Sequence, residues 1–125
     1  KGESTLRFDI LSQIEDKLPN YPLVLHEAST VPQKYVEIIN AYNGNVKGAK
    51  GVDENLLNEA STKHNIFKIN TDTDLRLVYF ASLRKHLKDH PENIDLRKFN
   101  EIAIEEIANY VAERNEKVFN SINKI

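Results

Sequence analysis

The chain has 125 residues, a 40% apolar and 29% charged composition and a formal net charge of −2. That is one domain at most, with room for a modest core. Lys and Arg are scattered rather than striped, no apolar run reaches membrane-span length and no signal peptide is visible, so nucleic-acid and membrane partners are not expected. Cysteine is absent, which excludes disulfides and thiolate metal sites and fits a cytoplasmic protein. Met and Trp are absent too, and the chain opens at Lys1, as an excised fragment or a chain of designer-chosen residues would.

In chain order, Leu6, Ile10, Leu11, Ile14 and Leu18 recur at helical spacing and predict an amphipathic helix over Thr5–Leu18. Pro19, Asn20 and Pro22 end it. Leu23-Val24-Leu25 is too short for a helix and reads as a buried strand. Thr30 is placed to cap a second helix with Pro32 in its first turn, burying Tyr35, Val36, Ile38, Ile39 and Tyr42. Asn43-Gly44-Asn45 breaks that helix. Asp53 caps a short one through Leu56, Leu57 and Ala60. Ile66-Phe67-Lys68-Ile69 is the second strand.

Several caps in Thr71–Asp74 then start a helix from Asp74 to Lys88 that stops near His90-Pro91. Asp95 opens the last segment, where Ile104, Ile107, Ala108, Val111, Val118, Phe119 and Ile122 form a long stripe facing the core or a partner. The expected fold is α/β and predominantly helical, two strands joined by helical crossovers as a βαβ unit. Two strands alone leave open edges, so either further strands, wrapping helices or a homo-oligomer must cover them.

The polar residues that carry chemistry follow the two strands. His26 stands where an imidazole can bind a metal through one nitrogen, yet one His is not a zinc site, and a structural role stands beside that reading. His26-Glu27 does not begin a metalloprotease motif, because Thr30 occupies the position of its second His. Glu27-Ala28-Ser29-Thr30 leads into a helix N-terminus, which suits either phosphate or simple capping; the Glu27 carboxylate opposes an anion. Asn70-Thr71-Asp72-Thr73 offers an amide and hydroxyls at the second strand-to-helix turn, for a phosphorylated, hydroxylated ligand or for an ordinary cap. On one parallel sheet the two turns would lie side by side. His86 and His90 share a helix face that is expected to be exposed and solvated, and His64 falls on a helix-to-strand connection.

Beyond these patterns, the chain resembles the class II, zinc-dependent fructose-bisphosphate aldolases over nearly its whole length. The resemblance rests on Lys1-Gly2-Glu3, on Leu23-Val24-Leu25-His26 followed after one residue by Ala28-Ser29, and on Asn45-Val46-Lys47-Gly48-Ala49, Lys68-Ile69-Asn70-Thr71-Asp72-Thr73-Asp74-Leu75-Arg76, Asp95-Leu96-Arg97-Lys98-Phe99 and Asn123-Lys124-Ile125. It implies a partial TIM-barrel segment, residues 1–125 forming the last two βα units and the terminal helices of a (β/α)8 barrel. It further implies His26 as a zinc ligand, and Ala28, Ser29, Asp72 and Thr73 around a substrate phosphate. Asn70 would be the catalytic amide on the ketose or enediolate, and Arg76 would reach the other phosphate.

The implied reaction is reversible aldol cleavage of a sugar phosphate, fructose 1,6-bisphosphate, with zinc as Lewis acid. The chain departs from the family where Glu27 replaces a glycine of the phosphate loop and where Asn100–Ile104 replaces a Gly-Pro-Ala-Arg segment. The other zinc ligands and the general acid/base lie on units outside this chain. The expectation is therefore a fragment that is inactive alone, or a stand-alone fold derived from one.

Overall fold

The computed structural model describes residues 5–48 and 50–123. Its elements are α1 (Phe8–Lys17), β1 (Leu23–Leu25), α2 (Gln33–Ala41), α3 (Glu54–Lys63), β2 (Ile66–Ile69), α4 (Thr73–Asp89) and α5 (Leu96–Lys117). The order matches the expected one. Lys1-Gly2-Glu3, Ala49 and Lys124-Ile125 of the quoted motifs lie outside the described residues.

The strands pair in parallel, with Leu23 opposite Ile66, Val24 opposite Lys68 and Leu25 opposite Ile69, and one irregularity between Leu23 and Val24. Parallel pairing needs a crossover, here α2 and α3, and it brings both carboxyl ends to one edge. The chain is thus a mostly helical α/β fold around a short two-stranded sheet. Full burial of the strands does not hold. Val24 is 47% and Phe67 72% exposed, because the helices cover one face and nothing among the described residues covers the other.

Two apolar clusters hold the fold. Tyr35, Val36 and Ile39 of α2, Leu77, Val78 and Ala81 of α4 and Tyr110 of α5 form the larger, closed by Val31. Ala28, Val52, Leu57 and Val118 form the smaller, beside Leu25 and Ile69 of the sheet. Asp53 and Asp95 cap α3 and α5 as expected, accepting from the N–H groups of Asn55 (2.7 Å) and Arg97 (3.0 Å). Asn43, at φ 63°, turns the chain after α2, and Gly44 follows because a Cβ there would lie 2.2 Å from the Ile39 side chain.

Four expectations need correction. First, α1 begins at Phe8, not Thr5, with Arg7 as its cap residue and no side-chain cap bond. Second, Thr30 does not cap α2; Pro32 is the cap residue, and the Thr30 hydroxyl donates to Asp74 instead. Third, the stripe on α5 is turned from its expected position. Ile104 (64%) and Val111 (42%) are exposed, while Ala103, Tyr110 and Arg114 are buried, and Val118 lies just past the helix. The polar ends of Tyr110 and Arg114 find partners in Asp74 and Glu54, which lets that face turn inward. Fourth, His86 is buried rather than solvated. Its Nε2 accepts from the Asn93 amide (2.8 Å) and its ring meets Phe99 edge-on. His90 is exposed as expected.

Candidate functional site

The site is built by the sheet's carboxyl edge. Ladder bonds continue past the strands: Asn70 N–H donates to the Leu25 carbonyl (2.9 Å), and Ala28 N–H donates to the Asn70 carbonyl (3.4 Å). This pairing sets His26 beside Asn70, two residues 44 positions apart in the chain. The Asn70 Nδ2 amide lies 3.1 Å from His26 Nδ1. An amide NH2 only donates, so Nδ1 accepts through its lone pair. A metal bound at Nδ1 would need that same lone pair.

An open hollow of about 730 Å³ lies over this edge, lined by His26, Glu27 and Ser29 from the first turn and Ile69–Thr73 from the second. Five of the seven residues singled out from the sequence line it: His26, Ser29, Asn70, Asp72 and Thr73. Ala28 does not. Its side chain is 1% exposed and packs into the smaller core, and its N–H is engaged by Asn70. Arg76 does not reach the hollow either. It turns back on Asp72 in a bidentate pair (Nε–Oδ1 3.0 Å, Nη2–Oδ2 2.6 Å), both side chains 71% exposed. Exposed pairs of this kind contribute about 0–1 kcal/mol, so the contact is easily exchanged for another anion.

Glu27 has φ 53°, a left-handed conformation that glycine adopts freely and other residues rarely do. Glu27 is one of the residues bordering the hollow. Gly51 backs the same loop, where a Cβ would lie 2.3 Å from the Ser29 carbonyl oxygen.

One buried carboxylate stands apart from the residues expected to form the site. Asp74, one of the several expected caps, is fully buried, and its oxygens bond groups of other segments. Its Oδ2 accepts from Thr30 N–H (2.9 Å), Thr30 Oγ1 (2.9 Å) and Tyr110 OH (2.8 Å), and its Oδ1 from Val31 N–H (2.8 Å). The available signal was an excess of cap residues in Thr71–Asp74 for a single helix end. Among the described residues no group of three or more His, Cys, Asp or Glu side chains is placed to hold a metal ion. No helix there is long and apolar enough to cross a membrane.

A family model described as fructose-bisphosphate aldolase class-II matches residues 1–124. The chain is 42% identical over 125 residues to the fructose-bisphosphate aldolase of Helicobacter pylori (strain ATCC 700392 / 26695), covering 100% of the chain and 40% of that protein. It is 37% identical over 119 residues to that of Treponema pallidum (strain Nichols), covering 95% of the chain and 36% of that protein. The figures for Thermus caldophilus are 38% over 124 residues, 99% and 40%. The chain therefore spans 36–40% of the length of these curated relatives.

Proposed function

Since this chain belongs to the class II fructose-bisphosphate aldolase family, we propose that it supplies one sector of such an enzyme, the one that holds the phosphorylated ketose. The juxtaposition of His26 and Asn70 at the carboxyl ends of two parallel strands carries this reading. Residues 1–125 would be a single unit corresponding to the last two βα units and terminal helices of a (β/α)8 barrel. The uncovered sheet face at Val24 and Phe67 supports this, since barrel strands are covered on both faces. A cytoplasmic, glycolytic setting follows from the same reading.

Within the hollow each residue takes a role from its own chemistry. The Asn70 amide donates to a ketose or enediolate oxygen once it leaves His26. Ser29 and Thr73 offer hydroxyls to phosphate, and the N-terminal amides of α4 add their dipole. Ala28 acts through shape and core packing. Arg76 reaches a second phosphate by exchanging Asp72 for it.

Zinc is the cofactor the family resemblance implies. The donor set here does not fit it, because a catalytic zinc takes about three protein ligands and, among the described residues, His26 stands without two others. No catalytic step is assigned through the metal, and the chain alone is proposed to be inactive.

An amide NMR titration of the full chain with dihydroxyacetone phosphate tests the reading. Saturable shifts confined to His26, Ser29 and Asn70–Thr73 are expected, with no cleavage of fructose 1,6-bisphosphate in the presence of zinc. Zinc-dependent cleavage would refute the inactivity of the isolated chain. A second reading, a drifted or redesigned stand-alone fold without activity, is favoured by the Glu27 carboxylate at the hollow. A dispersed spectrum with no shifts would select it. Self-association that covers the sheet edges would appear as a concentration-dependent mass in light scattering.

A further inference from the structure

We infer that Asp74 is a positioning residue whose carboxylate fixes the loop from Ser29 to Val31 against α4 and so sets where Ser29 stands on the hollow. The inference rests on reading that hollow as a sugar-phosphate half-site. Asp74 is 0% exposed, and its four donors are two backbone amides, a threonine hydroxyl and a phenol, all neutral. Burying a carboxylate beside uncharged donors is costly, so its placement requires a return elsewhere. That return is the backbone of the loop. The amides of Thr30 and Val31 lie 44 and 43 residues before Asp74 and find their acceptors in its two oxygens.

Val52 N–H and the Gln33 side-chain amide engage the loop's carbonyls at Ser29 (3.0 Å) and Val31 (2.8 Å), whereas the Thr30 and Val31 amides both go to Asp74. Val31 is β-branched and has φ 52°, a conformation such residues keep only where the surroundings over-determine it. Glu27, at the loop's start, has φ 53°. Both left-handed residues flank Ser29. Tyr110 closes the arrangement from α5, with its hydroxyl also 3.5 Å from Thr30 Oγ1. Burial, above all, pushes the Tyr110 phenol up, so it remains a donor throughout the neutral range. The last helix therefore reaches the loop through Tyr110, both by way of the Asp74 carboxylate and at the Thr30 hydroxyl. A simple helix cap would aim Asp74 at the amides of its own first turn, whereas its oxygens meet another segment.

The test uses the full chain and three isosteric or conservative variants: Tyr110→Phe, Thr30→Val and Thr30→Ser. Hydrogen exchange is read at the amides of Thr30 and Val31 and, for reference, at Leu57 and Val78 in the core. Dihydroxyacetone phosphate affinity is read at the Ser29 amide. Tyr110→Phe and Thr30→Val should each speed exchange at Thr30 and Val31 about tenfold relative to the core amides, as loss of one ordinary hydrogen bond would, and weaken the ligand by a similar factor. Thr30→Ser should restore both. A uniform rise at all amides, or no local rise, would overturn the inference in favour of a merely structural carboxylate. A flat titration of the unsubstituted chain together with the local exchange pattern would defeat the half-site reading and uphold the role of Asp74. Asp74→Asn should give the largest local change if it folds; if it does not, the other variants decide.

Discussion

Glu15 reaches from α1 to the start of β2, where one carboxylate oxygen lies 2.9 Å from His64 Nδ1 and the other accepts from Asn65 N–H at 2.6 Å. The ring of Phe8 stacks on His64 with centroids 5.1 Å apart. The first helix is thus tied to the edge of the sheet by one carboxylate and one ring pair. Hydrogen bonding by His64, then by the Asn65 amide, holds the Glu15 carboxyl below its ordinary value of 4.5. A group whose pKa is depressed on folding stabilises the folded state above its unfolded pKa. That stabilisation is lost as pH falls through the lowered value. Thermal melts should therefore show the midpoint falling as pH drops below about 4.5, the unfolded carboxylate value. Glu15→Gln should flatten that part of the profile. A variant with the same acid slope as the parent chain would show that Glu15 does not tie α1 down.

Arg114 donates to Glu54 Oε1 at 2.8 Å, with its side chain only 10% exposed against 39% for Glu54. Removing Glu54 leaves a nearly buried guanidinium without this carboxylate. Hydrogen bonds to charged groups contribute about 1.5–3 kcal/mol, and the partial exposure of Glu54 favours the lower end. Glu54→Ala should cost about 1.5 kcal/mol in denaturant unfolding. The double variant Glu54→Leu/Arg114→Met should recover most of that, because removing both charges also removes their desolvation. A double variant worse than either single one would contradict this account.

Glu27 at φ 53° carries a backbone cost of roughly 1–2 kcal/mol that glycine does not pay, against roughly 0.5–1 kcal/mol for glycine's greater freedom when unfolded. Glu27→Gly should therefore raise stability by about 0.5–1 kcal/mol in denaturant melts. It also removes a carboxylate from the hollow, so phosphate ligands should bind more tightly, and more so at low ionic strength. Reduced stability would mean that Glu27 makes contacts outweighing its conformation.

The sheet and the paired turns were legible in the sequence because Leu23–Leu25 and Ile66–Ile69 are short apolar runs closed by polar residues, and parallel pairing puts their ends together. The caps at Asp53 and Asp95 were legible for the same local reason. What was hidden depends on partners distant in the chain. Tyr110 and Arg114 turn inward only because Asp74 and Glu54 lie 36 and 60 residues away. Counting apolar side chains on α5 therefore found Ile107, Val118 and Phe119, which pack on the core, but also took in Ile104 and Val111, which are exposed, and passed over Tyr110 and Arg114. At the site, the placement of His26 beside Asn70 follows from strand register. The burial of Ala28 and the Arg76–Asp72 pair depend on how the loop and helix pack. Hydrophobic periodicity records neither.

The uncovered sheet face yields a last prediction, because burial separates two residues of like character near the same strand. Leu57 is 0% exposed in the smaller core, whereas Phe67 on β2 is 72% exposed. Truncating a fully buried leucine removes its transfer free energy and leaves a cavity, typically about 2–5 kcal/mol. Leu57→Ala should therefore remove a large part of the stability of this chain, since single domains are stable by only about 5–15 kcal/mol. Phe67→Thr replaces one good strand former with another, β-branched one and gives up little buried surface, so its cost should stay within about 0.5 kcal/mol. Light scattering of the Phe67→Thr chain should also show less concentration-dependent mass than the parent, since an aromatic beside an open edge favours association. A Phe67 substitution as costly as Leu57→Ala would place that ring against a surface that these helices and strands do not provide.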